Sequence, residues 1–137
     1  MTKILAIDYG TKRTGLAITD NSQIFSFPLD TVDTENLINY LKILFSKENI
    51  SHIVIGKALH ADKTPSKLET YIKKLIIKIK KEFPNLIIDR HDERYTSKMA
   101  YDIILSAGTK KKKRQNKSLV DKVSASLILQ SYIEFKK

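Results

Sequence analysis

Short apolar stretches separated by polar turns fill the first thirty residues of the chain. This pattern predicts β-strands over residues 3–8, 14–19 and 23–27, with Pro28 ending the third strand. The intervening turns are rich in Gly, Thr, Asp, Asn and Ser, which are residue types that favour tight turns. Strands joined by tight turns pair in opposite directions, so the sequence predicts an antiparallel meander.

Further along the chain the apolar positions recur every three or four residues, which is the period of an α-helix. The first such stripe runs from Leu37 to Phe45, and Asp33 or Thr34 is predicted to cap this helix. The resulting order β-β-β-α-β-α-β-α-α predicts a mixed sheet, because strands that alternate with helices pair in parallel. The remaining helices are predicted over residues 66–82, 97–105 and 118–135, and the remaining strands over residues 51–56 and 85–89.

Length and composition narrow the classes of protein to consider. The 137 residues suit one domain spanning residues 1–137, and the absence of cysteine excludes disulfides, thiolate metal sites and a cysteine nucleophile. No targeting segment is visible and no apolar stretch approaches the ~20 residues that span a bilayer, so a cytoplasmic protein is predicted. The formal net charge of +10 indicates a polyanionic partner, either nucleic acid or an anionic membrane surface.

Three acidic positions stand where α/β proteins place functional groups. Asp8 ends the first predicted strand, Glu93 follows strand 85–89, and Asp121 lies in the first turn of the last helix. Each has an ordinary structural interpretation: an Asx turn for Asp8, and a favourable helix N-terminus for the other two. Because ligands of α/β sheets gather at the carboxyl ends of strands, the alternative interpretation is that the three acids meet at one edge.

Carboxylates that converge at one edge repel each other unless cations lie between them. Mg²⁺ or Mn²⁺ is the expected cofactor, because these hard cations prefer oxygen ligands. A pair of such ions can activate a water and stabilise the attacking and leaving oxygens at a phosphodiester. The sequence carries no nucleophile elbow, P-loop or HExxH zinc motif that would indicate another reaction class.

A basic segment directly precedes Asp121. A run of like charges is ordinarily a solvated loop, but beside a candidate catalytic acid in so basic a chain phosphate binding is the better interpretation. The lysines of helix 66–82 form a second basic face, interpreted as solvated unless the fold places it beside the site. The residues predicted to bind phosphates in the basic segment are Lys110, Lys111, Lys112, Lys113, Arg114 and Lys117.

Three stretches together resemble the YqgF family, also called the RuvX or Holliday-junction-resolvase-like family, of the ribonuclease H-like superfamily. They are ILAIDYGTKRTGLAITD (residues 4–20), DERYTS (92–97) and VDKVSASLILQSYIE (120–134), and their order and spacing match. The resemblance implies a ribonuclease H-like α/β fold: a five-stranded mixed sheet, three antiparallel strands then two parallel ones, with helices on both faces. It also implies a bacterial cytoplasmic nuclease that processes the ends of precursor 16S ribosomal RNA, with nucleic acid rather than membrane as partner.

The resemblance can be carried over residue by residue. Asp8, Glu93 and Asp121 fall on the acids that hold metal and act in catalysis, with Asp92 as an alternative to Glu93. Three basic residues, Lys12, Arg13 and Arg94, fall on family positions beside these acids. The segment from Gly56 to Thr64 departs from the family pattern, because it lacks the usual proline and loop glycine.

Several functions stay open at this point. A metal-dependent nuclease acting on RNA is the leading hypothesis. A resolvase acting on branched DNA would need a two-fold dimer, and the sequence leaves open a monomer or a weak homodimer. A non-catalytic RNA-binding module is a further alternative. The turn Asp8–Thr11 also resembles the phosphate loop of actin-like ATPases, but those enzymes need two lobes that 137 residues with 4 glycines cannot supply.

Overall fold

Five strands and three α-helices are described by the computed structural model, which covers residues 1–57, 66–92 and 117–136. A 3₁₀ turn, Thr34–Asn36, leads into the first helix. The strands are β1 (Lys3–Asp8), β2 (Arg13–Thr19), β3 (Ser26–Asp33), β4 (Ile50–Lys57) and β5 (Ile87–Asp92). The helices are α1 (Leu37–Lys47), α2 (Leu68–Glu82) and α3 (Lys117–Lys136).

The strands form one sheet in the order β3-β2-β1-β4-β5. β1 pairs antiparallel with β2, and β2 pairs antiparallel with β3, which confirms the predicted meander. β4 runs parallel to β1 on its other side, and β5 runs parallel to β4. The predicted mixed sheet of three antiparallel and two parallel strands is therefore confirmed, and the predicted helix over residues 97–105 lies outside the described residues.

Alternation along β1 sends its apolar side chains into two different cores. Leu5 and Ile7 join the core that packs against α1 and α2, whereas Ile4 and Ala6 join the core that packs against α3. These four side chains are at most 5% exposed, so the central strand is covered on both faces. The helices lie on both sides of the sheet, as predicted.

The prediction for the third strand was wrong: β3 begins at Ser26, and Pro28 lies inside it rather than ending it. The preceding residues are held in a turn, because the Asp20 carboxylate accepts hydrogen bonds from the main-chain N–H groups of Ile24 (2.8 Å) and Phe25 (3.0 Å). β3 is an edge strand with a register shift beside Pro28, where a missing N–H is tolerated.

The predicted capping of the first helix was also wrong, because neither Asp33 nor Asn36 makes a side-chain cap hydrogen bond. Thr34 has a different task. Its hydroxyl donates to the Gly10 carbonyl (2.6 Å) and its main-chain N–H donates to the Lys12 carbonyl (2.9 Å). These bonds tie the β1–β2 turn to the start of α1, and this turn immediately follows Asp8.

None of the helices described is long and apolar enough to cross a membrane.

Candidate functional site

The carboxyl ends of three parallel strands meet at one edge of the sheet. β1 ends at Asp8, β4 at Lys57 and β5 at Asp92. In open α/β sheets this edge is where ligands bind. The antiparallel partner β2 begins at the same edge, and the first turns of α3 pack against it.

Gly15 brings two of the predicted acids to this edge. It pairs directly with Asp8 in the antiparallel register, and a Cβ at position 15 would overlap the main-chain carbonyl of Asp121. Both paired residues lie on the α3 face of the sheet, because the equivalent pair two residues further in, Ala6 and Ala17, belongs to the core beneath α3. Because Gly15 has no side chain, the α3 backbone can pack against β2 close to Asp8.

The carboxylate of Asp121 is held by a basic residue from the start of β2. The Nε of Arg13 donates to Oδ2 of Asp121 over 2.9 Å. The two side chains are 38% and 26% exposed, so the pair is partly solvated and adds about 0.2–1 kcal/mol to stability. Its main effect is geometric, because it fixes where the Asp121 carboxylate lies at the mouth of the site.

The alternation of β5 places Asp92, the predicted alternative to Glu93, on one face of the sheet. Asp92 pairs with Lys57 and follows Arg90 by two residues, and Arg90 contacts α2. Asp92 therefore lies on the α2 face of the sheet, opposite the face of Asp8 and Asp121. The structure brings the backbones of Asp8 and Asp121 close together through Gly15 and places Asp92 on the other face.

The other predicted site residues are placed only in part. Lys12 is exposed in the β1–β2 turn, and Lys117 is the first residue of α3. Within the described ranges, no group of three His, Asp or Glu side chains is arranged to hold a metal ion. The predicted site residues that lie outside these ranges are Glu93, Arg94, Lys110, Lys111, Lys112, Lys113 and Arg114.

Arg90, which the sequence interpretation missed, orders the edge of the sheet from the α2 face. The Arg90 guanidinium donates to the main-chain carbonyls of Ile55 (3.1 Å) and Gly56 (2.9 Å) and to the carboxylate of Glu69 (2.7 Å). It thereby joins the carboxyl end of β4 to the first turn of α2. The local sequence gives no sign that Arg90 contacts Glu69, 21 positions earlier in the chain. The close approach at Gly15 did have a sequence signal, because a glycine inside a strand often marks a place where another backbone packs closely.

A comparison with solved structures identifies the class of fold. Over 99% of this chain and 96% of the other, the fold matches the solved structure described as "T. thermophilus RuvC in complex with Holliday junction substrate", with a TM-score of 0.58 and 12% sequence identity. At that identity the match establishes a shared fold, the ribonuclease H-like arrangement expected from the sequence.

The sequence comparisons then give the family. A family model described as "RuvX: Holliday junction resolvase" matches residues 2–135, so the chain belongs to the RuvX family, and the resemblance seen in the sequence is confirmed. A protein of Flavobacterium psychrophilum is 47% identical over 133 residues, covering 97% of each chain, and bears the name "Putative pre-16S rRNA nuclease". A Christiangramia forsetii protein with the same name is 44% identical and covers 97% of this chain and 98% of its own.

Proposed function

We propose that this protein is a metal-dependent nuclease that hydrolyses phosphodiester bonds at the ends of precursor 16S ribosomal RNA in the bacterial cytoplasm. One structural observation carries the proposal: Gly15 pairs with Asp8 and also contacts the backbone of Asp121, so two carboxylates share one face at the ligand-binding edge. Full-length relatives named for this activity support the choice of RNA as substrate.

The donor set fits a hard divalent cation. Asp8 and Asp121 offer carboxylate oxygens, and the chain contains no cysteine. We assign the third acid to Glu93, because Asp92 lies on the opposite face of the sheet. Mg²⁺ or Mn²⁺ bound by these residues would supply an activated water and stabilise the charge that develops on the phosphate oxygens.

The protein's own side chains have separate tasks in this scheme. Arg13 holds Asp121 in place through its Nε. Lys12, exposed in the turn that follows Asp8, is suited to contact the phosphate backbone. The same role is assigned to Arg94, Lys110, Lys111, Lys112, Lys113, Arg114 and Lys117.

The test compares two matched isosteric changes in the acids. Asp8→Asn is expected to abolish cleavage of a precursor 16S RNA fragment with Mg²⁺ or Mn²⁺ while leaving binding of that RNA intact. Asp92→Asn removes the same charge from the other face of the sheet and is expected to retain most of the activity. Full activity of Asp8→Asn, or of the wild-type protein in EDTA, would contradict the metal-carboxylate mechanism.

A second candidate function is the resolution of branched DNA, which the description of the matching family model favours. Parallel assays with the RNA fragment and a four-way DNA junction separate the two. Symmetric cleavage of the junction, together with a dimer in sedimentation, would identify a resolvase. Cleavage of the RNA alone would identify the ribosomal precursor as substrate.

A further inference from the structure

A groove made of adjoining cavities lies between α1 and α2 and begins at the turn that follows Asp8. Three adjoining cavities of about 370, 340 and 410 Å³ form it. The first two share Thr11 and Glu35, and the second and third share Glu35, Ile38 and Lys78. The groove therefore begins at the edge of the sheet that carries the candidate site and runs along the α1–α2 face, which is opposite the face of Asp8 and Asp121.

One flank of α2 lines this groove. Tyr71 and Lys74 border the middle cavity beside Tyr9, and Lys78 and Lys81 border the cavity beyond it. Their spacing of three, four and three residues places these α2 side chains in one row along the helix. The row is about 15 Å long, which is the rise of roughly four stacked nucleotides in one strand.

The groove has more basic than acidic side chains. Lys12, Lys74, Lys78 and Lys81 line it, and none of them forms an ion pair with another residue that the structure describes. The acids in the lining are Asp33, Glu35 and Glu82, and Glu82 is paired with Lys42 at 3.6 Å.

Two aromatic rings stand at the end of the groove nearest the site. Tyr71 is 50% exposed, and Tyr9 directly follows Asp8 in the chain. Both rings line the middle cavity, so they stand close together at this end of the groove. An exposed aromatic ring such as Tyr71 beside a row of lysines is the combination by which proteins bind single-stranded nucleic acid, with a base stacked and phosphates neutralised.

We propose that this groove binds the single-stranded RNA that extends from the cleavage site, with a base stacked on Tyr71 and phosphates contacted by Lys74, Lys78 and Lys81. The proposal rests on the proposed function for its choice of RNA. The lysines of α2 therefore fall into two groups. One flank of the helix lines the RNA path, and the opposite flank, which carries Lys73 and Lys80, faces solvent.

The test exploits these two flanks. Lys74→Ala/Lys78→Ala and Lys73→Ala/Lys80→Ala each remove two lysines from one helix, so the two double variants have the same net charge. Binding of a labelled single-stranded RNA oligonucleotide is measured by fluorescence anisotropy in EDTA at several salt concentrations. The groove variant is expected to bind roughly tenfold more weakly, with a log–log salt slope reduced by about 1.4 for two lost contacts, and the control to bind within about twofold of wild type.

Substitutions of Tyr71 separate stacking from charge. Tyr71→Phe is expected to keep wild-type affinity, whereas Tyr71→Leu weakens binding of the single strand and not of a duplex of the same sequence. Equal losses in the two lysine double variants, or no loss in either, would overturn the groove proposal. An equal loss of duplex binding in Tyr71→Leu would overturn the single-strand assignment.

Failure of this proposal is distinguishable from failure of the proposed function. If Asp8→Asn loses cleavage while both lysine double variants bind RNA alike, the nuclease assignment stands and the groove assignment falls. If Asp8→Asn cleaves normally while the groove variant alone loses RNA affinity, the groove assignment stands and the carboxylate mechanism falls.

Discussion

The Nε of Arg13 lies 2.9 Å from Oδ2 of Asp121, which joins the start of β2 to the first turns of α3 across 108 positions of the chain. The pair brings a cation directly to a candidate metal ligand. A divalent ion and Arg13 therefore compete for the same carboxylate charge, and this competition can be measured.

Replacing Arg13 by Gln removes the competing positive charge. We expect Mg²⁺ to bind roughly two- to fivefold more tightly in isothermal titration, a change in line with the energy of a partly exposed ion pair. Arg13→Lys keeps the charge and serves as the control, with an affinity close to that of wild type. An unchanged Mg²⁺ affinity in Arg13→Gln would show that the ion pair does not oppose metal binding.

Replacing Gly15 by Ala inserts a methyl group where the Asp121 carbonyl lies. The helix must move away from β2, which we expect to cost about 1–3 kcal/mol of unfolding free energy in urea titrations. Cleavage at a temperature where the variant stays folded should fall further than the stability loss explains, because Asp121 moves away from Asp8. Wild-type stability in Gly15→Ala would refute the close packing of α3 on β2.

Replacing Arg90 takes a cation away from the largely buried carboxylate of Glu69. The side chains of Arg90 and Glu69 are 20% and 10% exposed, so Arg90→Met is expected to cost about 3 kcal/mol of unfolding free energy. Arg90→Met/Glu69→Met should recover much of that loss, because no buried charge remains. Lys42→Met, which breaks the half-exposed pair with Glu82, is the control and should cost less than about 1 kcal/mol. Equal costs of the two single changes would contradict this assignment.

Stability is expected to fall in mild acid through His91. Burial lowers the pKa of His91 below its ordinary value of 6.5 and outweighs the opposing effect of Asp92. As the pH falls, His91 is protonated more readily in the unfolded chain than in the folded protein. The free energy of unfolding is therefore highest above pH 6.5 and decreases as the pH falls below that value. His91→Gln should lose less stability than wild type between about pH 7.5 and about pH 5.5 in urea unfolding. Identical pH slopes would exclude His91 as the responsible group.

The sequence predicted the parts of the fold that depend on local pattern. β1 and β2 appear where the apolar runs indicated, and the predicted positions of Asp8 at a strand end and Asp121 near a helix start are confirmed. Pro28 was wrongly predicted to end the third strand. A strand accepts a proline when it lies at the edge of the sheet, and that depends on the strand order rather than on the local sequence.

Interactions between distant segments could not be predicted in the same way. The Thr34 hydroxyl has the chemistry of a helix cap, and only the position of the β1–β2 turn explains why it bonds to Gly10 instead. The contact of Arg90 with Glu69 likewise depends on how α2 lies across the sheet. The catalytic and metal-binding roles of Asp8, Glu93 and Asp121 and the phosphate contacts of the segment 110–117 stay predictions.

The contact between Gly15 and the backbone of Asp121 also sets the order in which activity can arise during folding. The five-stranded sheet uses residues up to Asp92, whereas α3 begins at Lys117. A chain that has formed the sheet but has not yet docked this helix has Asp8 without Asp121 beside it. Under the proposed mechanism, molecules in which α3 is not docked do not cleave RNA, and docking of this helix completes the catalytic site.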